Sequence, residues 1–229
     1  MLRSIKQLVG DKLGASDGEI GHVKDFYFDD QDWVVRYVVA DTGSWLPGRQ
    51  VLLSPHAFGR FNQTDKVLPV NLTRQQIENS PPIELHKPVS RQFEDEYFQY
   101  YGWPAYWQGD ALWGMSGFPV VGMPLTALPG QQPSAARRTD AHLRSTNAVN
   151  GYSIDARDGT VGHVHDFMMD NESWAICELI VKTSHHFSGK EVQLATSQVS
   201  RISYDKSTVF VDLAWAHFEQ SPEHHLVTP

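Results

Sequence analysis

Displaced by 141 positions, the chain falls on itself without a gap. Asp17-Gly18-Glu19-Ile20-Gly21-His22-Val23-Lys24-Asp25-Phe26 lands on Asp158-Gly159-Thr160-Val161-Gly162-His163-Val164-His165-Asp166-Phe167, and Trp33 lands on Trp174. From Ser4 to Pro81, 22 of 78 positions are identical in this register. A period of this length means that one supersecondary unit is folded twice. It divides the chain into a first repeat at 1–82, a linker at 83–143 and a second repeat at 144–229.

The punctuation inside each copy is that of β structure. Asp17-Gly18 and Asp158-Gly159 are tight-turn dipeptides, because glycine accepts the positive φ such turns need. Val34 to Ala40 and Ala175 to Val181 are apolar runs rich in β-branched residues and read as strands. Val51 and Leu53 alternate with polar Arg49 and with Ser54, as do Val192 and Leu194 with Glu191 and Gln193, so one face is read as in and one as out. Ile20, Val23, Phe26 and Phe28 cannot share one face of a regular strand, so a bulge near Gly21-His22 is expected. Each copy closes on a short helix. Thr73-Arg74-Gln75-Gln76 has the capping-box pattern, and Ser80-Pro81 and Ser221-Pro222 stop the helices. Short strands without a βαβ rhythm predict a mainly β chain of two tandem small barrels.

Between the copies lies an aromatic segment. Ten of the 26 residues from Phe93 to Phe118 are aromatic. Phe93, Tyr97, Tyr100 and Tyr101 recur at helical spacing. Ser90 suits the N-cap and Gly102 the stop, so residues 91–101 are expected to form a helix. Two fates stay open for the rings. They pack on the barrels of the same chain, or Tyr97, Tyr100, Tyr101, Trp103, Trp107 and Trp113 meet a partner protein, since Tyr and Trp dominate interface hot spots. Residues 129–143 have linker composition.

The quoted residues also carry a resemblance. Asp-Gly-x-Ile/Val-Gly-x-Val-x-Asp-Phe, then Asp29 or Asp170, then Trp33 or Trp174, then an apolar strand ending in Thr, resembles the PRC-barrel family. That fold is shared by the cytoplasmic part of the photosynthetic reaction-centre H subunit and by a domain of a ribosome maturation factor. The linker, with Pro88-Val89-Ser90-Arg91-Gln92 and Tyr100-Tyr101-Gly102-Trp103-Pro104, is similar to the segment that follows the barrel in stand-alone bacterial members. The resemblance implies two PRC-barrel-like modules that dock onto other macromolecules. It does not carry over either specific role, because this sequence has neither the membrane helix of the first nor the basic target face of the second.

Charge narrows the partners. The formal net charge is -8, and no segment is basic, so the footprint of a general nucleic-acid binder is missing. No apolar run is long enough for an integral membrane segment. With Cys177 as the single cysteine and no signal-peptide pattern at the start, the cytoplasm is the expected location.

No nucleophile elbow, phosphate loop or paired-carboxylate constellation is present, so no catalytic residue, cofactor or metal is assigned. Eight of eleven histidines follow residue 140, without the convergent ligand spacing of a zinc site. Gly18, Gly21, Asp25, Trp33, Gly159, Gly162, Asp166 and Trp174 are read as structural. His22 and His163 are taken as outward strand residues, the two aspartates as turn-fixing, the two tryptophans as barrel-end packing and Cys177 as a core thiol. The expectation is a non-enzymatic cytoplasmic scaffold or adaptor, with another protein or a second copy of the chain as partner. The alternative is a small-molecule or metal-sensing stress protein that uses a groove between the barrels.

Overall fold

Each repeat builds one sheet around a single 12-residue strand. The computed structural model describes residues 1–47, 49–59, 66–81, 89–120, 143–184 and 189–224. The first repeat holds β1 (Leu2–Ser4), α1 (Ile5–Leu8), β2 (Lys12–Ala15), β3 (Gly18–Asp29), β4 (Val34–Asp41), β5 (Gln50–Leu53), β6 (Val67–Pro69) and α2 (Arg74–Glu78). The linker forms α3 (Arg91–Tyr101). The second repeat holds β7 (Leu143–Ser145), α4 (Thr146–Val149), β8 (Ser153–Ala156), β9 (Gly159–Asp170), β10 (Ile176–Thr183), β11 (Glu191–Ala195), β12 (Val199–Ser203), β13 (Thr208–Val211) and α5 (Trp215–Gln220). The chain is mainly β, with two sheets.

The strand orders are β5-β4-β3-β2-β6 and β11-β10-β9-β8-β13-β12. Among the described residues, no pairing closes either sheet into a ring. The expected bulge is present in both copies. Leu13 pairs with Gly21 and Gly14 with Glu19, which leaves Ile20 as the extra residue. Ile154 and Asp155 skip Val161 in the same way. The skipped residue brings Ile20 inward with Val23, and a second register shift that skips Lys24 brings in Phe26 and Phe28, all four buried.

The first strand of each repeat belongs to the other repeat's sheet. β1 pairs with β9, Arg3 opposite Met169, and β7 pairs with β3, Arg144 opposite Phe28. The exchanged tripeptides are identical, Leu2-Arg3-Ser4 and Leu143-Arg144-Ser145. The second repeat therefore starts at Leu143, inside the segment read as linker. The internal match extends two residues farther toward the N-terminus than the Ser4 where it was first drawn.

Most matched residues have an architectural task in both copies. Asp17 and Asp158 accept from the backbone N–H of Arg74 and of Trp215, each at 2.8 Å, and so start the closing helices as well as shaping their turns. Asp29 and Asp170 accept backbone N–H groups two and three residues on, which folds the turns leading to Trp33 and Trp174. Both tryptophans take left-handed backbone, φ 54° and 60°, a rare conformation for so bulky a residue. Their carbonyls accept reciprocally across the two sheets, Trp33 from Ile176 N–H at 2.7 Å and Trp174 from Val35 N–H at 2.9 Å. The two tryptophans, expected at barrel ends, thus sit where the two sheets meet. Arg49 and Lys190, paired by position, donate to carbonyls at the end of and just beyond α2 and α5, Glu78 and Ser80 in one copy, Glu219 and Ser221 in the other. A cation at a helix C-terminus also suits the backbone dipole.

Candidate functional site

The two copies differ most where the linker lies. Arg36, Tyr37, Leu52 and His56 of the first repeat are buried. Their counterparts 141 positions on are Cys177, Glu178, Gln193 and Ser197, half-buried or exposed. α3 and the loop after it cover this face of the first repeat. The second repeat has polar residues at the same positions.

The helix starts and stops as its sequence dictates. Ser90 Oγ accepts from Phe93 N–H, and Gly102 takes the left-handed stop at φ 67°. Tyr97 enters the end of β5, where its hydroxyl donates to the Leu52 carbonyl and accepts from Ser54 N–H, each at 3.0 Å. Burial raises its pKa well above the usual phenol range. Glu94 is fully buried on the same helix face. Its carboxylate accepts from Tyr37 at 3.0 Å and from Tyr106 at 2.6 Å, bonds that offset part of the cost of removing a charge from water. Arg36, also fully buried, stands 3.9 Å from the Tyr106 ring centre. It donates to Asp32 at 2.9 Å and to the Leu112 carbonyl. A charged chain, Asp32–Arg36–Tyr106–Glu94–Tyr37, therefore runs through an aromatic core.

Of the two fates open to the rings, this arrangement gives packing within the chain to four of the six named for a partner. Tyr97, Trp103, Trp107 and Trp113 are buried in the chain's own core, and Trp113 donates its indole N–H to Ser173 O at 2.8 Å. Intrachain packing wins because the first repeat offers an apolar face that no residue of its own sheet covers. Tyr101 is half-buried. Tyr100, 42% exposed, is the one large ring of the six left open; its hydroxyl donates to Gln76 O at 2.9 Å and ties α3 to α2.

Beneath that tie lies a cavity of about 450 Å³, lined by His56, Asn71, Leu72, Gln76, Tyr100, Tyr101 and Trp103. Three of its rings form a near-parallel stack. His56 and Trp103 have centroids 5.6 Å apart at 19°, and Trp103 and Tyr101 4.4 Å apart at 13°. His56 Nδ1 meets Ser54 Oγ at 3.1 Å, while Nε2 is buried without a hydrogen-bond partner among the described residues. An unsatisfied buried nitrogen costs roughly 1–3 kcal/mol. Burial, helped by the charge of Arg36, lowers the His56 pKa to about 4, so the ring is neutral near pH 7. Burial also raises Tyr101 to about 12.

The other residues singled out are placed as follows. Gly18 and Gly159 occupy their turns with φ 151° and 141°, and Gly21 and Gly162 sit at the bulges. Asp25 and Asp166 do more than fix turns. Besides the next residue's N–H, Asp25 accepts from Ser145, Thr146 and Asn147, and Asp166 from Ser4 and Lys6. Each clamps the exchanged strand of the other repeat. His22 and His163 face outward, as expected. Cys177 is half-buried rather than a core thiol, because the linker does not cover its face. His142, His185, His186 and His225 lie outside the described residues, as do residues 121–142 and with them most of the 129–143 stretch. Among the described residues, no three His, Cys, Asp or Glu side chains gather to hold a metal. No helix there is long and apolar enough to cross a membrane.

A smaller cavity, about 240 Å³, lies where β1 joins the second sheet and includes Lys6, His165, Asp166 and Glu191. His165 Nε2 is 3.0 Å from Lys6 Nζ and 3.3 Å from Glu191 Oε1. Burial and Lys6 lower its pKa against the pull of Glu191.

His56, Arg36, Tyr37 and Glu94 were missed by sequence reading. For Tyr37 and His56 the signal was available in the comparison of the copies, where an aromatic ring in one faces a polar residue in the other, Glu178 and Ser197; Arg36 opposite Cys177 and the linker's Glu94 gave none. No family model matches the chain, and neither does any curated protein.

Proposed function

We propose that the chain is a non-enzymatic cytoplasmic binding protein, built as a tandem PRC-barrel-like platform with one recognition site between the first repeat and α3. One observation carries the reading. The linker covers one of two like faces and leaves there a cavity floored by stacked rings and a buried histidine nitrogen with no partner among the described residues. Repeated residues mostly serve the architecture, and of the residues that line the cavity only Leu72 is repeated, as Leu213. Binding is favoured over catalysis because a histidine held near pKa 4 is a weak base at neutral pH. The volume falls in the usual range for small-molecule sites. The site differs from the expected groove between the barrels, since it lies between one repeat and the linker.

The test is thermal unfolding of the whole chain in the presence of size-separated fractions of its own cell extract. The low-mass fraction is expected to raise the Tm of the native chain and not that of Leu72→Trp, in which the cavity is filled. An unchanged Tm for both chains with every fraction would contradict the proposal.

The scaffold reading keeps support from a different surface. Met115, Phe118 and Val120 are 76%, 53% and 36% exposed on one short stretch after the buried rings. Single exposed apolar residues are ordinary, but three together suit a protein partner. A photo-crosslinking residue at Phe118 is expected to yield one discrete adduct in cells if this surface docks, and diffuse or no adducts otherwise.

A further inference from the structure

We infer that the His56 cavity takes a neutral, flat aromatic molecule bearing a hydroxyl group. The inference rests on the proposed site and names its ligand class.

Shape comes first. His56, Trp103 and Tyr101 present ring planes within 19° of their neighbours in the stack, and Tyr100 stands edge-on to Tyr101 at 84°. Offset stacking and edge contacts favour another flat ring over a branched aliphatic body. The cavity of about 450 Å³ accommodates a fused ring system.

Charge comes second. Among the described residues, no Lys, Arg, Asp or Glu side chain lines the cavity. An ionised ligand would leave water for a site with no counter-charge in its lining.

The hydrogen bond comes third. With Nδ1 occupied by Ser54 Oγ, Nε2 is the imidazole nitrogen left for a ligand. A neutral imidazole offers one donor and one acceptor, and the Ser54 hydroxyl satisfies either role of Nδ1. Nε2 therefore presents either a lone pair or an N–H. A hydroxyl group both donates and accepts, and so meets both tautomers. A carbonyl or a methyl group does not.

The experiment titrates the whole chain with 2-naphthol, 2-methylnaphthalene and 2-naphthoate and follows the Trp103 indole N–H by NMR. 2-Naphthol is expected to shift that resonance and to bind at least tenfold more tightly than 2-methylnaphthalene, with no shift from the anion. His56→Phe is expected to erase the preference for the hydroxyl, and Leu72→Trp to abolish binding of both neutral probes. Equal affinity of native chain for the first two probes overturns the hydroxyl assignment, and preference for the anion overturns neutrality. These native-chain comparisons stand even if His56→Phe fails to fold. Should no probe bind while the low-mass extract still stabilises the chain through the Leu72 cavity, the ligand class falls and the site survives. Absence of both effects removes both.

Discussion

The repeated glycines and the unrepeated histidine are the residues on which local geometry bears hardest. A Cβ on Gly21 would stand 1.9 Å from the Asp41 carbonyl oxygen, and one on Gly162 2.1 Å from that of Lys182. No side-chain rotation relieves a clash with backbone. Gly21→Val and Gly162→Val are each expected to destabilise the chain by at least about 3 kcal/mol in urea unfolding, the range of severe strain; unchanged midpoints would refute the bulge. His56 carries a pH signature. Its folded pKa of about 4 lies below the ordinary value of 6.5, so the unfolded chain binds the proton first as pH falls. The folded state has its full stability above about pH 7 and loses it as the pH drops toward 4. At about 1.4 kcal/mol per unit, the His56 contribution between pH 7 and 5 is a loss of about 2 kcal/mol. Urea midpoints across that window should show it in the native chain and lack it in His56→Phe; equal slopes would contradict the assignment.

At the scale of elements, the short strands β1 and β7 tie the two sheets together, each held by a buried carboxylate of the opposite repeat. Asp25→Ala strips partners from Ser145, Thr146 and Asn147, and Asp166→Ala strips them from Ser4 and Lys6. Each change is expected to cost about 3 kcal/mol, given the strength of hydrogen bonds to charged groups. Because each strand belongs to one repeat and pairs in the other, both variants should shift a single shared unfolding transition. A two-step transition in which only one half loosens would argue against the exchange. Many of the elements themselves were legible in the sequence. Ser90, Gly102 and the ring spacing place α3, the 2-period and Asp-Gly turns place strands, and the misfit of Ile20 with Val23 places a bulge. The exchange was not legible, since a three-residue strand carries no periodicity and its partner is set by tertiary geometry.

For the whole molecule, the internal period predicts two like units and the structure holds two like sheets, yet the proposed function follows from their inequality. Glu94 shows why the site was hard to read. A carboxylate on a helix next to Asp95 and Glu96 looks solvated, yet it is buried against the Tyr37 and Tyr106 hydroxyls, which donate to it. The aromatic linker could be recognised from composition, but its resting place depended on a difference between copies at Arg36, Tyr37, Leu52 and His56. The account stands on an N-terminal strand that crosses to the other repeat, and interstrand NOEs in the labelled full chain, diluted into unlabelled chain, report on it directly. Cross-peaks between residues 2–4 and 168–170, mirrored by 143–145 with 27–29, are the predicted result. Cross-peaks joining 2–4 to 27–29 of the same repeat would contradict it.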